Sequence, residues 1–328
     1  MFKYILKRIG ISILILLGVS LILYTLLRCM PTDFVEQKIT NLVAGGLTVD
    51  EKFIEAMKKS YGLDGTIIQG YFTWLGNIFR LDFGTSFISH RPVLSDIFSA
   101  DRIGTSFFVA AIATIFEFLI AIPLGVTAAT HQYSFRDYLV TVLVLIGISL
   151  PSFFFGQMLK NILAIKLGWF PVSGMKEAGE TLVGLAAVKD YLRHMFLPIL
   201  TVVILSIGSR MRMTRTNMLE VLNADYIRTA RAKGLKESKV IYKHAFRNTM
   251  IPLVTGLAGL IPSLFSGAMI TEQVFDLTGI GSYALNAMTQ GDIPVIMTYN
   301  MFLASLSVLG VLLSDLMYAV VDPRVKLA

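Results

Sequence analysis

The sequence predicts an all-α membrane protein with six transmembrane helices, and three observations carry that expectation. The 328-residue chain is 55% hydrophobic and 16% charged, too apolar for an ordinary soluble domain. Predominantly apolar stretches recur at about 9–28, 103–130, 139–165, 195–211, 252–271 and 293–320, with lengths that suit a hydrocarbon layer roughly 30 Å thick. Lys and Arg are unevenly shared among the segments between them. The N-terminal tail has three, the 131–138 loop one, the 210–251 loop ten and the C-terminal tail two, against four in 166–194 and none in 272–292. Positive charge is retained on the cytoplasmic side, so both termini are expected there. The whole chain, 1–328, then forms one integral-membrane domain. Its segment 29–102 is external, and its loop 210–251 is cytoplasmic and carries a helical element between the fourth and fifth helices.

Each element has a local reason. Lys3, Lys7 and Arg8 precede an uncharged run from Ile9 to Leu27. That run exceeds a signal-peptide core and lacks a small-x-small cleavage site, which predicts a retained first span. In the external segment, Thr48 and Glu51 have capping-box spacing ahead of Phe53, Ile54, Met57 and Tyr61, with Gly62 as a stop. Tyr71, Trp74, Leu75, Ile78 and Phe79 form a second stripe, which reads as local packing or as an interfacial belt. Pro151 in the third span, and Pro252 and Pro262 in the fifth, free backbone groups that neighbouring helices or local adjustments must satisfy.

Much chemistry is excluded. The single cysteine, Cys29, rules out an internal disulfide and a cysteine-based metal cluster. No Gly-x4-Gly-Lys-Ser/Thr stretch exists to cradle a nucleotide, and Gly279-Ile280-Gly281 lacks the third glycine and strand context of a dinucleotide site. His90, His131, His194 and His244 are scattered, so no metal site is expected. Glu117 and Asp315 are acids inside spans, read either as functional groups or as members of ion pairs. The net charge of +7 fits cytoplasmic retention of Lys and Arg better than nucleic-acid binding.

What remains is the basic loop. It holds ten Lys/Arg against the acids Glu220, Asp225 and Glu237. Asn223 or Asp225 can cap a short helix whose Tyr226, Ile227 and Ala230 share a face, with Arg228, Arg231 and Lys233 largely on the others and Gly234 as its stop. A second segment, about 237–248, carries the stripe Val240, Ile241 and Ala245. Such a compact unit suits docking into a groove on another protein; the alternative is a polybasic face on anionic lipid.

The run Asp225-Tyr226-Ile227-Arg228-Thr229-Ala230-Arg231-Ala232-Lys233-Gly234-Leu235, followed by His244-Ala245, Arg247-Asn248 and Pro252, resembles the coupling segment of ABC-importer permease subunits of the dipeptide/oligopeptide/nickel class. The resemblance spans nearly the whole chain. It includes Leu17-Gly18-Val19-Ser20, Tyr61-Gly62-Leu63-Asp64, Asp82-Phe83-Gly84-Thr85-Ser86, Arg91-Pro92-Val93 and Leu167 to Gly174. It continues through Glu272-Gln273-Val274-Phe275, Gly279-Ile280-Gly281 and Asp322-Pro323-Arg324. Thr278 stands where a proline is usual, Ile103-Gly104 replaces a common Leu-Pro pair, and Arg228-Thr229-Ala230 replaces the broader family's Glu-Ala-Ala start.

The resemblance implies a transport subunit of the bacterial inner membrane and not an enzyme. ATP-Mg would be bound by two cytoplasmic ATPase partners, with a second, similar permease (a paralogue rather than an identical copy) and an external solute-binding protein completing the system. It assigns ATPase coupling to Asp225, Tyr226, Arg228, Ala230, Arg231 and Gly234. Peptides are the expected cargo, with nickel or another small solute as the alternative; a self-contained channel or secondary transporter would leave the basic loop unexplained. Gly256, Gly259, Ser263, Ser266 and Gly267 on the fifth span either allow close helix approach or line the pathway, with Ser263, Ser266 and Gly267 the pathway candidates.

Overall fold

The computed structural model describes residues 2–30, 34–45, 50–177, 179 and 182–321. Nearly all of them are helical; among the described residues the sole β-type pairing is an isolated antiparallel bridge between Thr85 and Pro92. The first membrane-capable helix is α1 (Phe2–Arg28). It is followed by the short helices α2 (Phe34–Ala44), α3 (Glu51–Ser60), α4 (Ile67–Phe79) and α5 (Val93–Ile97). Next come α6 (Ala100–Thr130), α7 (Phe135–Ser149) and α8 (Ser152–Leu159), the last continuing as π-helical turns over Lys160–Lys166. The long α9 (Leu185–Leu222) precedes α10 (Asp225–Ala232), α11 (Glu237–Lys239), π-helical turns over Val240–Ala245 and α12 (Phe246–Leu257). A 3₁₀ turn at Ala258–Leu260 leads to α13 (Ile261–Ser266), α14 (Met269–Phe275), α15 (Ile280–Gln290) and α16 (Ile293–Val321). By length and composition, α1, α6, α9 and α16 can each cross a bilayer, and α7 with α8 forms a fifth candidate bent by 102°.

Three of the expected spans take a different form. Leu150 is extended before Pro151, as steric clash with a following proline ring demands, so the third span is bent rather than straight. The fourth, expected at 195–211, is the middle of a 38-residue helix about 57 Å long. Arg210, Arg212 and Arg215 therefore lie on that helix and not in a loop. The fifth, expected at 252–271, is broken at Ala258–Leu260 and again at Gly267, whose φ is +70°.

The core of the bundle is α6 against α9. Gly125 lets them touch: a Cβ there would stand 2.8 Å from the Met211 carbonyl oxygen and 2.7 Å from Thr214 Cβ. Polar links reinforce the seam. Arg210 Nε donates to Glu117 Oε1 of α6 at 2.9 Å, and Arg215 forks onto both oxygens of Asp137 at 3.1 and 3.0 Å, which ties α7 to α9 as well. Arg8 pairs with Asp315 at 2.6 Å, joining the start of α1 to the C-terminal part of α16. Both in-span acids thus have cationic partners.

The segment after α1 is folded, with α3 capped by Asp50, whose carboxylate accepts from Phe53 N at 2.9 Å. Thr48 lies outside the described residues. Thr66 and Gln69 close a reciprocal capping box on α4. Tyr71 and Trp74 pack on Tyr24 of α1, while Phe79 is exposed, so most of that stripe is local packing. Ser86 and the N–H of Ile88 donate to Asp292, at 2.6 and 3.3 Å, anchoring the segment to the start of α16.

Candidate functional site

The residues from Asp225 to Gly234 form one small element pressed against the ends of α6 and α9. Ile227 is fully buried and Ala230 nearly so, against Val126 and Ala129 of α6, Met218 of α9, and Val240 and Ala245 of the following turns. Ile227 and Ala230 lie three positions apart, so they share one face of the helix. Their burial leaves the Asp225 and Arg228 side chains outward, largely exposed and 3.9 Å apart, while Tyr226, at the edge of the buried face, is half-exposed. Small Ala230 permits close seating; the outward face offers charge and one aromatic ring.

The helix begins differently from expectation. Ala224 is the extended residue before it, with no side-chain cap. Asn223 instead donates from Nδ2 to the Leu219 carbonyl and finishes α9. Asp225 sits in the first turn, where its charge complements the helix dipole. The end agrees with the sequence: Gly234 has φ +71° and donates to the Arg231 carbonyl at 2.9 Å. The chain then doubles back, so that Arg231 Nη2 reaches Glu237 Oε1 at 2.7 Å. This hydrogen bond holds the Glu237 carboxyl below its ordinary range. Val240, Ala245 and partly buried Ile241 pack the second segment under the same element.

A second arrangement, away from this element, joins two motifs whose meeting is not visible along the chain. Glu272 is 1% exposed. Its carboxylate accepts from Ser106 Oγ of α6 at 2.7 Å and from Ser282 N of α15 at 2.7 Å. Ser106 Oγ accepts in turn from Ile280 N at 2.8 Å. Gly267, Gly279 and Gly281 surround the group, and a Cβ on any of them would collide with the carboxylate. Gly279-Ile280-Gly281 is thus the cradle of a buried acid that ties α6, α14 and α15 together. Burial pushes the Glu272 carboxyl above its usual range, more strongly than the donors hold it down.

That shift has a sign. The folded protein holds this proton where the unfolded chain has released it, so stability falls as pH rises from about 4.3, the free Glu value, through the raised folded value. Glu272→Gln removes the titration. The melting temperature of the wild-type protein in detergent is expected to fall relative to Glu272→Gln as pH is raised from about 4 to 7. Parallel curves would refute this.

Among the pathway candidates, Ser263 is exposed and Ser266 half-buried, its carbonyl accepting from Tyr299. Gly267 is packed on Glu272 and Gly281. A Cβ placed on Gly256 or Gly259 would meet nothing within 4 Å. The structure also gathers Glu177, Asp190 and His194, with ligand-capable atoms within 4.8 Å of one another. Hydrogen bonds within the group account for it: Glu177 N donates to Asp190, and His194 Nδ1 lies 2.9 Å from the Asp190 carbonyl. A search for histidine clusters misses it because two of its members are acids.

The bundle of apolar helices has its counterparts among known transport subunits. The family described as binding-protein-dependent transport system inner membrane component matches residues 121–327, and its N-terminal companion matches residues 1–111. The oligopeptide transport system permease protein AppB of Bacillus subtilis is 37% identical over 99% of this chain and 100% of its own length. The dipeptide transport system permease protein DppB of Lactococcus lactis is 34% identical over 100% of both. A putative peptide permease protein of Brucella ovis is 34% identical over 99% of both. The chain belongs to the binding-protein-dependent transport system inner-membrane component family, the permeases of ABC importers, and is a multi-pass protein of the bacterial inner membrane.

Proposed function

We propose that this chain forms half of the translocation pathway of an ATP-driven importer for di- and oligopeptides. The observation that carries the reading is full-length similarity to permeases named for oligopeptide and dipeptide transport, joined to a docking element on a chain without a nucleotide-binding motif. Energy then arrives from outside the chain. Two cytoplasmic ATPases receive the exposed face of α10, a second permease of similar sequence completes the pathway, and an external solute-binding protein delivers cargo. Six crossings follow if the bent α7–α8 pair counts as one and the interrupted α12–α13 segment as another, with both termini cytoplasmic by the Lys/Arg distribution.

In this reading the ATPase stroke enters through Ile227 and Ala230. Both rest on the ends of α6 and α9, so movement of α10 tilts those helices as rigid rods instead of bending a loop. Tyr226, Arg228 and Arg231 contact the ATPase, and Asp225 orients the helix start. Gly256 and Gly259, with open space where a Cβ would stand, and the exposed Ser263 leave one face of the fifth crossing for the partner permease and the pathway.

The test is uptake of labelled di- and tripeptides by vesicles holding the complete system. Uptake should require ATP and the binding protein, and uptake driven by an ion gradient without ATPases would overturn the reading. The double reversal Arg228→Glu and Arg231→Glu should leave membrane insertion intact and reduce ATPase co-purification about tenfold, as loss of two interface charge contacts of about 0.7 kcal/mol each requires. Equal loss of insertion would assign the basic face to lipid.

A further inference from the structure

Two motifs outside the coupling element, Tyr61-Gly62-Leu63-Asp64 and Asp82-Phe83-Gly84-Thr85-Ser86, are more than fifteen positions apart in the sequence and line the same cleft. The cleft measures about 690 Å³, within the range of small-ligand sites. α4 forms one side, through Gln69, Thr73, Trp74 and Asn77, and Ile293 and Pro294 at the start of α16 close another.

Its chemistry is selective. The side chains of Asp64 and Asp82 are exposed, and the cations at its wall are already engaged: Arg28 donates to the Leu63 and Gly65 carbonyls at 3.0 and 2.9 Å, and Lys38 to the Tyr61 hydroxyl at 3.2 Å. Asp82 Oδ1 accepts from Gly84 N at 2.9 Å, which fixes the carboxylate in place. Tyr24, Tyr61, Trp74, Phe83 and Phe87 supply aromatic surface. The Trp74 indole forms part of the wall, with its N–H turned away from solvent. A cleft with two exposed carboxylates and aromatic walls matches a short peptide that presents a cationic amine.

The cleft also lies at the far end of the spans from α10. Asp96 and Arg102, 3.7 Å apart, tie the segment that bears it to the start of α6, while Val126 and Ala129, near the other end of that helix, seat α10. The stretch of α6 from Arg102 to Val126 and Ala129 separates the two by about 36–40 Å. The two sites therefore face opposite sides of the membrane.

We propose that this cleft is a peptide subsite on the permease chain itself, with Asp64 and Asp82 receiving the α-ammonium group and the aromatic wall taking the first side chains. It rests on the peptide-importer reading and adds to it a place where cargo contacts the permease.

The chain has two tryptophans, so Trp169→Phe leaves Trp74 as a single reporter in the full-length protein in nanodiscs. Titration with trialanine should give a saturable change in Trp74 emission with Kd at or below about 1 mM. N-acetyl-trialanine should bind at least about tenfold more weakly, as should free trialanine to the Asp64→Asn/Asp82→Asn variant, since one charge-assisted contact is lost in each case. Equal affinity for the acetylated peptide, no effect of the double variant, or no saturable change in protein whose circular dichroism is intact would overturn the subsite.

ATP-dependent uptake of the same peptide by the complete transporter separates the two claims. Uptake without cleft binding sinks the subsite and leaves the importer reading standing. A complete transporter that moves no peptide sinks the reading on which the subsite depends.

Discussion

Gly234→Val is expected to leave the protein in the membrane and to cut ATP-dependent uptake about tenfold, the effect of roughly 1.4 kcal/mol. The position has φ +71° and nothing within 4 Å of a Cβ, so the substitution meets no steric wall. Its cost is in the backbone alone: a β-branched residue in the left-handed region costs about 1–2 kcal/mol. The chain relieves that strain by unwinding the end of α10, which also draws Arg231 away from Glu237. Gly234→Asn is the informative control, because Asn enters the left-handed region more easily. It should keep most of the uptake. If Gly234→Val matches the wild type in uptake and in ATPase co-purification, the helix stop does not matter for coupling.

The second large effect is in the seam between α6 and α9. Arg210→Met should destabilise the protein by about 3–5 kcal/mol, the usual consequence of stranding one member of a buried ion pair. Glu117 is 6% exposed and lies near the middle of α6; its cationic partner also stacks on Phe118, 4.6 Å from the ring centroid. The double variant Glu117→Leu/Arg210→Met should recover most of that loss, because an apolar pair of similar volume needs no compensation. Thermal unfolding in detergent measures both. A single variant as stable as wild type, or a double variant no better than the single, would show that the pair carries little energy.

The two predictions differ in how readily the sequence exposes them. Gly234 is legible at once, since a glycine after a short amphipathic run is a helix stop wherever it occurs. Glu117 is legible only as an anomaly: an acid in an apolar stretch must have a partner, and nothing along the chain says that the partner is Arg210, which counts among the ten basic residues of the 210–251 loop. α9 runs on past the bilayer, and the helix turns that arginine inward. Local capping is the weakest reading, with Ala224 standing where Asn223 or Asp225 is expected, because several polar residues in a row offer the backbone nearly equal choices.

The sequence by itself determined the class of protein, the placement of most apolar helices and the position of the short basic element that ends at Gly234. Those properties follow from composition, from periodicity and from short contiguous motifs, all of which act over a few turns of chain. Tertiary structure alone decided that Gly279 and Gly281 cradle Glu272, that two distant motifs share a cleft, and that the fifth crossing is broken. Each depends on which surfaces meet, and buried polar groups find partners hundreds of positions away, as Ser86 does in Asp292, because an unpaired group in a dry interior costs more than the chain ordering needed to satisfy it.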